Sequence, residues 1–401
     1  MREAFIISTG QIVNGRTAGS RRMMNIARAL ANGGVTVFLC SLNQISKHPV
    51  LPSEIYPGIY NLESDGSKGR REPAICGFIK SVNGFMKTRD TEKVIYLYPT
   101  VFTFKDWTYL FYFKLIKGYR IFCDINELRS SNAFTATPPE GFISLIFFLV
   151  KSARDFIAFK LSELQVLFYD GIVVISSGLE DYYSRMARKI VKVPILCDAE
   201  RIRKPEKELK LEDSPFKICF AGMINCEKEG FNILFKALSG VNHSKEVELY
   251  LYGVLNENDK TKLYTLLKIY DLQNKVFYLG NVDPDELLAE FSKYHLLILP
   301  RPLNPQTKYG FSTKLSEYLI SGVPVLVTNV SDNADYIKDN YNGYIIEPGS
   351  YQIMEDKILE IIESYNEKSG SIAMNAYQTS RMYFDYRLYT ELLIGFFFPA
   401  H

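Results

Sequence analysis

The sequence is poor in the residues from which metal centres and disulfide frameworks are built. It holds 6 Cys and 4 His in 401 residues. Cys40, Cys76, Cys123, Cys197, Cys219 and Cys226 form no C-x-x-C pair, and the histidines are scattered. Such spacing yields neither a zinc site nor a disulfide framework. Cys40, Cys123 and Cys219 fall in apolar runs, where a free thiol usually acts as a small core residue. No Ser-His-Asp set can be assembled either. No apolar stretch reaches the roughly 18 residues that span a bilayer. The first residues read as a strand and not as a signal peptide, so the expectation is a cytoplasmic protein.

What is present is ordinary in bulk and uneven in detail. A chain of 401 residues favours two domains over one core. Hydrophobic residues make up 47% and charged ones 23%, as in a soluble globular protein. Net charge is +2, but the first 200 residues carry 25 Lys and Arg against 18 Asp and Glu, and the remainder 22 against 27. A basic first half suits an anionic counterpart, a membrane surface or an acidic substrate. The most apolar piece is "GFISLIFFLV" (Gly141–Val150), followed by the basic, amphipathic "KSARDFIAFK". A buried helix is the first reading of it, with contact at a membrane surface as the alternative.

Periodicity divides the chain. "AFIIS" (Ala4–Ser8) reads as a buried strand. In "SRRMMNIARALANGG", Met23, Ile26, Ala27 and Leu30 have helical spacing, and "VTVFLC" (Val35–Cys40) is the next strand. Further strands are "KVIYLYP", "RIFCDI" and "GIVVIS". At roughly residues 195–215 periodicity gives way to charge, which marks a linker. A second alternation follows, with strands "KICFAG", "VELYLYG", "KVFYLG", "LLILP", "VPVLVT" and "GYIIE". Strands alternating with helices predict an α/β fold of two Rossmann-like domains facing a cleft, with ligands expected at the carboxyl ends of the strands. The expected boundaries are 1–195, 196–380 and an aromatic C-terminal helix, 381–401.

Two stretches carry chemistry. In "STGQIVNGRTAGSRR", Gly10, Gly15, Arg16 and Thr17 come within one residue of the phosphate-gripping G-x-x-x-x-G-K-[ST], with Arg16 where the lysine belongs. In the second half, Ser312 and Thr313 precede a helix that they can cap, leaving N–H groups at its start to receive an anionic phosphate. Lys314 adds a cation there. Glu317, one turn in, can accept hydrogen bonds from a ribose diol. Asp283-Pro284-Asp285 reads as a helix start, Asp at the N-cap and Pro at N1, and not as a metal site.

The string from Ser312 to Val325, "STKLSEYLISGVPV", resembles the "P-[ST]-K-[LF]-x-E-Y-L-A-x-G-x-P-V" of GT-B glycosyltransferases, specifically the retaining family four (group 1). "ICFAGMINCEKEGFNILFKAL" is similar to that family's "Y-x-G-R-[LI]-x-x-x-K-G", and "NADYIKDNYNGYIIEPG" to the segment that follows the helix. The resemblance is strong over about residues 215–390 and weaker before them. It implies a hexosyl- or glycosyltransferase that moves a sugar, with anomeric retention, from a nucleoside-diphosphate sugar to a hydroxyl of a glycan or lipid-linked acceptor. Bacterial surface polysaccharide or glycolipid assembly is the implied setting, at the inner face of the cytoplasmic membrane, with a possible peripheral membrane contact and no nucleic acid. Neither a metal nor another cofactor is implied.

Carried over residue by residue, the resemblance puts Gly222 and Lys228 on the donor diphosphate, and Gly280, Asn281 and Val282 along the base. Tyr309, Gly310, Ser312, Thr313, Lys314, Leu315 and Glu317 complete the donor side, with Lys228 and Glu317 the foremost candidates for catalysis. Two departures stand out. Met223 occupies the position of the family's diphosphate-binding Arg, for which Arg301 is a candidate substitute. Tyr309 stands eight residues before Glu317, where many members carry a Glu that touches the sugar. In the first half, Gly15, Gly19 and Arg21 belong to the glycine-rich turn that the family brings toward the donor. "FCDINELRSS" supplies Asp124 and Glu127 as acceptor-side candidates, although Asp124 suits a strand-end role equally. Rival readings are a nucleotide-sugar 2-epimerase of the same fold, a non-catalytic nucleotide-sugar binder and a P-loop phosphotransferase.

Overall fold

The structure is a computed structural model, described here for residues 1–8, 12–13, 17–41, 51–63, 82–87, 90–98, 107–108, 110–132, 141–200 and 215–399. Gly10, Gly15, Arg16, Cys76 and most of the charged linker lie outside the described residues. The chain divides into two units, Met1–Leu196 with Tyr386–His401, and Cys197–Asp385.

Among its described residues the first unit has eight strands: β1 (Arg2–Ser8), β2 (Thr36–Ser41), β3 (Leu51–Tyr56), β4 (Ile59–Glu63), β5 (Glu92–Tyr98), β6 (Arg120–Ile125), β7 (Gly171–Val174) and β8 (Ile190–Lys192). Their order is β3-β4-β2-β1-β5-β6-β7-β8. All neighbours are parallel except β3 and β4, an edge hairpin. Central strands such as β1 are buried nearly end to end, which is why they read as unbroken apolar runs. The β3–β4 hairpin and β8 left little trace in the sequence, because edge strands face solvent on one side and are short.

Thr17 caps the helix Ala18–Asn32, its Oγ1 accepting the Ser20 N–H at 3.1 Å. The threonine of the P-loop-like string therefore starts its own helix. Gly19 lies within that helix and not on the preceding loop. A Cβ there would come 2.5 Å from Tyr98 Oη, so the glycine is a close-packing residue. The C-terminal aromatic segment is not one helix. The long helix Tyr351–Tyr383 ends at Phe384, a 3-10 turn follows, and Thr390–Phe397 forms a separate helix. That last helix packs in the first unit, with Phe397 against Tyr96 and Phe122 and with Ile394 over Gly33.

"GFISLIFFLVKSARDFIAFK" is helical, Phe142–Glu163, but it is not buried. Phe142, Ile143, Phe147 and Val150 are 78%, 70%, 72% and 64% exposed. The stripe through Leu145, Phe148, Ser152, Asp155, Phe159 and Ser162 turns inward, joined in the last turns by Ala158, Lys160 and Glu163, and the helix packs on the short 3-10 turn Arg129–Asn132. The first reading, a buried helix, is thus corrected: this element rests on the unit by one narrow side.

The second unit holds a fully parallel six-stranded sheet: β9 (Phe216–Ala221), β10 (Val247–Tyr252), β11 (Val276–Tyr278), β12 (Leu296–Leu299), β13 (Val325–Thr328) and β14 (Tyr344–Ile346), in the order β11-β10-β9-β12-β13-β14. The order reverses between β9 and β12. In open α/β sheets such a reversal splays the following loops apart and opens a crevice at the carboxyl ends. At the opposite end His295 stacks on Phe216, and its Nδ1 accepts the Lys217 N–H at 2.9 Å. Burial lowers its pKa to about 4, so this histidine is a neutral core residue.

Candidate functional site

Three glycines let the loops after β9, β10 and β11 pack against one another beside the reversal point. Gly222, Gly253 and Gly280 follow β9, β10 and β11 and all have positive φ. The Gly222 N–H donates to Tyr252 O at 2.9 Å, and the Gly253 N–H to Gly280 O at 2.7 Å. A Cβ on Gly253 would strike Gly222 O at 1.8 Å, and one on Gly222 would strike Lys314 Cε at 1.9 Å. Only glycine allows this approach of backbone to side chain. Gly230 does the same next to β12, since its Cβ would lie 2.2 Å from Pro300 O.

Into this space the fold brings one carboxylate and two cations from three separate segments. Glu229, at the start of the helix Phe231–Val241, accepts from Arg301 Nε and Nη2, each at 3.1 Å. Lys314 Nζ lies 3.0 Å from Glu229 Oε1 and 4.2 Å from the centre of the Phe220 ring. Burial alone would raise the Glu229 pKa, but Arg301 and Lys314 outweigh it and hold the carboxyl at about 2. For Lys314 burial dominates. Glu229 supports its charge, Arg301 and Lys228 oppose it, and its pKa falls to about 8. With Glu229 ionised and both cations protonated, the cluster keeps one net positive charge.

The helix Lys314–Ser321 begins here. Thr313 occupies its N-cap without a side-chain hydrogen bond, so the expected Ser-Thr cap is not made. The Ser312 hydroxyl is buried and has no hydrogen-bond partner among the described residues. Uncapped amides and an unengaged hydroxyl at a helix N-terminus are suited to an anion. The helix is fixed from below by Tyr318, whose hydroxyl accepts the Ala221 N–H at 2.7 Å at the end of β9.

The remaining donor-side candidates are placed as follows. Lys228 is half-buried, with its backbone N–H on Asn225 Oδ1 at 2.8 Å. Glu317 is half-buried in the first turn of the Lys314 helix. Leu315 is fully buried, so its side chain is core and only its backbone belongs to the helix start. Tyr309 and Gly310 end the one-turn helix Pro305–Tyr309, which Asn304 and Thr307 close with a capping box. Asn281 and Val282 follow Gly280 beyond β11, Asn281 exposed and Val282 half-buried. Met223 is 67% exposed and brings no charge. Arg301, the candidate substitute, uses its fork on Glu229, so it is a member of the cluster and not a freestanding replacement.

Glu229 and Tyr318 were missed at the level of sequence. The signal for Glu229 was the extra residue in "KEG", where the motif places Lys and Gly side by side.

In the first unit the structure places the two acceptor-side candidates differently. Asp124, at 2% exposed, accepts from Arg22 Nε at 3.0 and 3.1 Å and from the Tyr96 hydroxyl. Arg22 in turn donates through Nη1 to Val193 O and Pro194 O at 3.0 and 2.8 Å. Asp124 is thus the internal counter-ion of the buried Arg22. Glu127, by contrast, is half-buried beside Arg129 at 3.4 Å. Arg21 is half-buried in the first turn of its helix.

Residues 201–379 match the family model "Glycosyl transferases group 1". They are a group 1 glycosyl transferase domain. Over 98% of this chain and 97% of the other, the fold superposes on sucrose-phosphate synthase from Thermosynechococcus elongatus with a TM-score of 0.70 at 13% identity. It also matches Anabaena HepE, solved with UDP-glucose, with a TM-score of 0.64 at 15% identity over 97% and 98% of the two chains. The architecture is therefore GT-B. Among curated proteins, 126 residues are 26% identical to poly(ribitol-phosphate) alpha-N-acetylglucosaminyltransferase of Staphylococcus aureus, over 31% of this chain and 24% of that one. The matched stretches take in only 17% to 36% of the lengths of the curated relatives it matches.

Proposed function

We propose that the chain is a glycosyltransferase that moves a sugar, with retention at the anomeric carbon, from a nucleoside-diphosphate sugar to a hydroxyl of a glycan or lipid-linked acceptor at the cytoplasmic face of a membrane. The observation that carries this reading is the buried Glu229–Arg301–Lys314 cluster beside the uncapped start of the Lys314 helix. Sugar transfer leaves a diphosphate on which negative charge grows. Fixed cations and amides aimed at that charge lower the barrier without reorganising during reaction. Lys314, Lys228, the Ser312 hydroxyl and the helix amides would receive the diphosphate, while Glu317 would hold the ribose. Anabaena HepE supports a nucleotide-sugar donor, since that protein was solved with UDP and with UDP-glucose. The Staphylococcus aureus relative supports a polymeric acceptor.

With retention, the leaving phosphate takes the proton of the incoming hydroxyl on the same face of the sugar. No catalytic histidine is needed for that step. Transfer without metal is part of the proposal, because the cluster supplies the positive charge.

The exposed Met223 favours one competing reading, a binder that holds a nucleotide sugar without turning it over. Incubation with a panel of nucleotide sugars decides between them. An acceptor-stimulated release of nucleoside diphosphate, undiminished by EDTA, is the expected result. Binding without release would leave only the binder. Release of free sugar or epimer without an acceptor would point to an epimerase.

A further inference from the structure

We propose that the exposed apolar face of the helix Phe142–Glu163 docks in the plane of an anionic phospholipid bilayer. Ile143, Phe147, Val150, Ile157 and Leu161, with Leu164 just past the helix end, lie along one side at three- to four-residue steps broken once by Arg154, and are from 41% to 72% exposed. At 1.5 Å per residue this stripe is about 30 Å long. Soluble proteins seldom leave so large a contiguous apolar face open to water. No helix among the described residues is long and apolar enough to cross a membrane. The inward stripe, with Ser152 and Ser162 buried, also keeps this helix on the fold. A helix held by one side, apolar on the other and basic along its border lies in the interface and does not span it.

Charge selects the surface. Lys151 borders the stripe and Arg154 lies within it, where its long side chain can carry the guanidinium up to lipid phosphates; both are exposed, Arg154 beside Asp155. The helix's other acid, Glu163, is buried and engaged by Lys160 and the Tyr182 hydroxyl. The first 200 residues are basic in total. Beyond the helix Leu167 and Phe168 are also exposed, as are Phe111, Leu115 and Ile116 of the segment whose Lys114 pairs with Asp170 at 2.8 Å. Trp107, the single tryptophan, packs on Phe168 with ring centres 5.4 Å apart. It reports on this face alone.

The test is flotation of the full chain with phosphatidylcholine vesicles with and without phosphatidylglycerol, at low and high salt, together with Trp107 fluorescence. Expected are co-flotation and a blue shift with the anionic vesicles at low salt, weakened by high salt. Val150→Glu with Ile157→Glu should weaken flotation roughly tenfold or more, and Lys151→Glu should weaken it several-fold. Thermal unfolding and nucleoside-diphosphate binding should not change in either variant, so failure here is separable from failure of the donor site. Absence of flotation at low salt, or flotation indifferent to the double variant, overturns the proposal. So does a dimer in sedimentation velocity that the double variant dissolves while wild type ignores vesicles, because the face then belongs to a second copy.

Discussion

The Glu229 carboxylate lies 3.0 Å from Lys314 Nζ, and both groups are buried. Two separate loops thereby become one charged unit whose protonation matters to an anionic ligand. Lys314 has a pKa of about 8 and loses its proton as pH rises through that value. Affinity for a nucleoside diphosphate should therefore be fully present below about pH 8 and decline above it. Glu229→Gln removes the partner that supports the lysine's charge, which moves this decline to lower pH. At neutral pH the loss of one charge-assisted contact, about 1.5–3 kcal/mol, weakens binding roughly 10- to 100-fold. Calorimetry across pH in both proteins reads the shift. An unchanged profile would detach Lys314 from the ligand.

The same pair has a consequence for stability. Glu229 ionises at about 2 in the folded protein against an ordinary value of 4.5. A depressed carboxylate stabilises the fold above its unfolded pKa, and that contribution is lost as pH falls toward the folded value. About 3 kcal/mol should disappear between roughly pH 5 and 2. Urea titrations at stepped pH should show it in wild type. In Glu229→Gln this part of the acid dependence should be missing.

Asp124 separates a structural from a catalytic role. Its carboxylate neutralises Arg22 where neither side chain reaches water. Asp124→Ala strands a buried guanidinium and should destabilise by about 3–5 kcal/mol. Glu127→Ala, at a half-exposed position, should leave stability within about 0.5 kcal/mol and change only the acceptor's KM. Chemical denaturation beside steady-state kinetics distinguishes them. A stable but inactive Asp124→Ala would return that residue to the acceptor site.

What the sequence made legible follows from what each signal depends on. Buried parallel strands announce themselves because both faces are apolar, so eleven of the fourteen strands among the described residues were foreseen. The one-sided edge hairpin β3–β4 and the three-residue β8 carry no such pattern. Lys314 and Glu317 were readable because they sit in a continuous string at a helix start. Glu229 was not, since its meaning comes from Arg301 and Lys314, 72 and 85 positions away. Asp124 stayed open between two roles for the same reason: its partner Arg22 is 102 residues upstream. The Phe142 helix misled because an apolar run gives length but not what covers it.

Lys228 and Glu317 should fail in different ways. Lys228 is a half-buried cation close enough to Lys314 to depress its pKa, so it acts on the same charge. A group that meets the diphosphate chiefly as it departs is removed at the expense of kcat. Lys228→Ala should lower kcat roughly 100-fold, with KM for the donor little changed. Glu317 would meet the ribose, which is the same in ground state and transition state. Glu317→Ala should then raise the donor KM roughly tenfold or more and lower kcat/KM by the same factor. Circular dichroism and thermal unfolding must stay at wild-type values in both, because neither side chain is part of the Glu229 cluster. Wild-type kinetics in either variant would remove that residue from the donor site. Equal effects on kcat in both would mean that the ribose contact also tightens at the transition state.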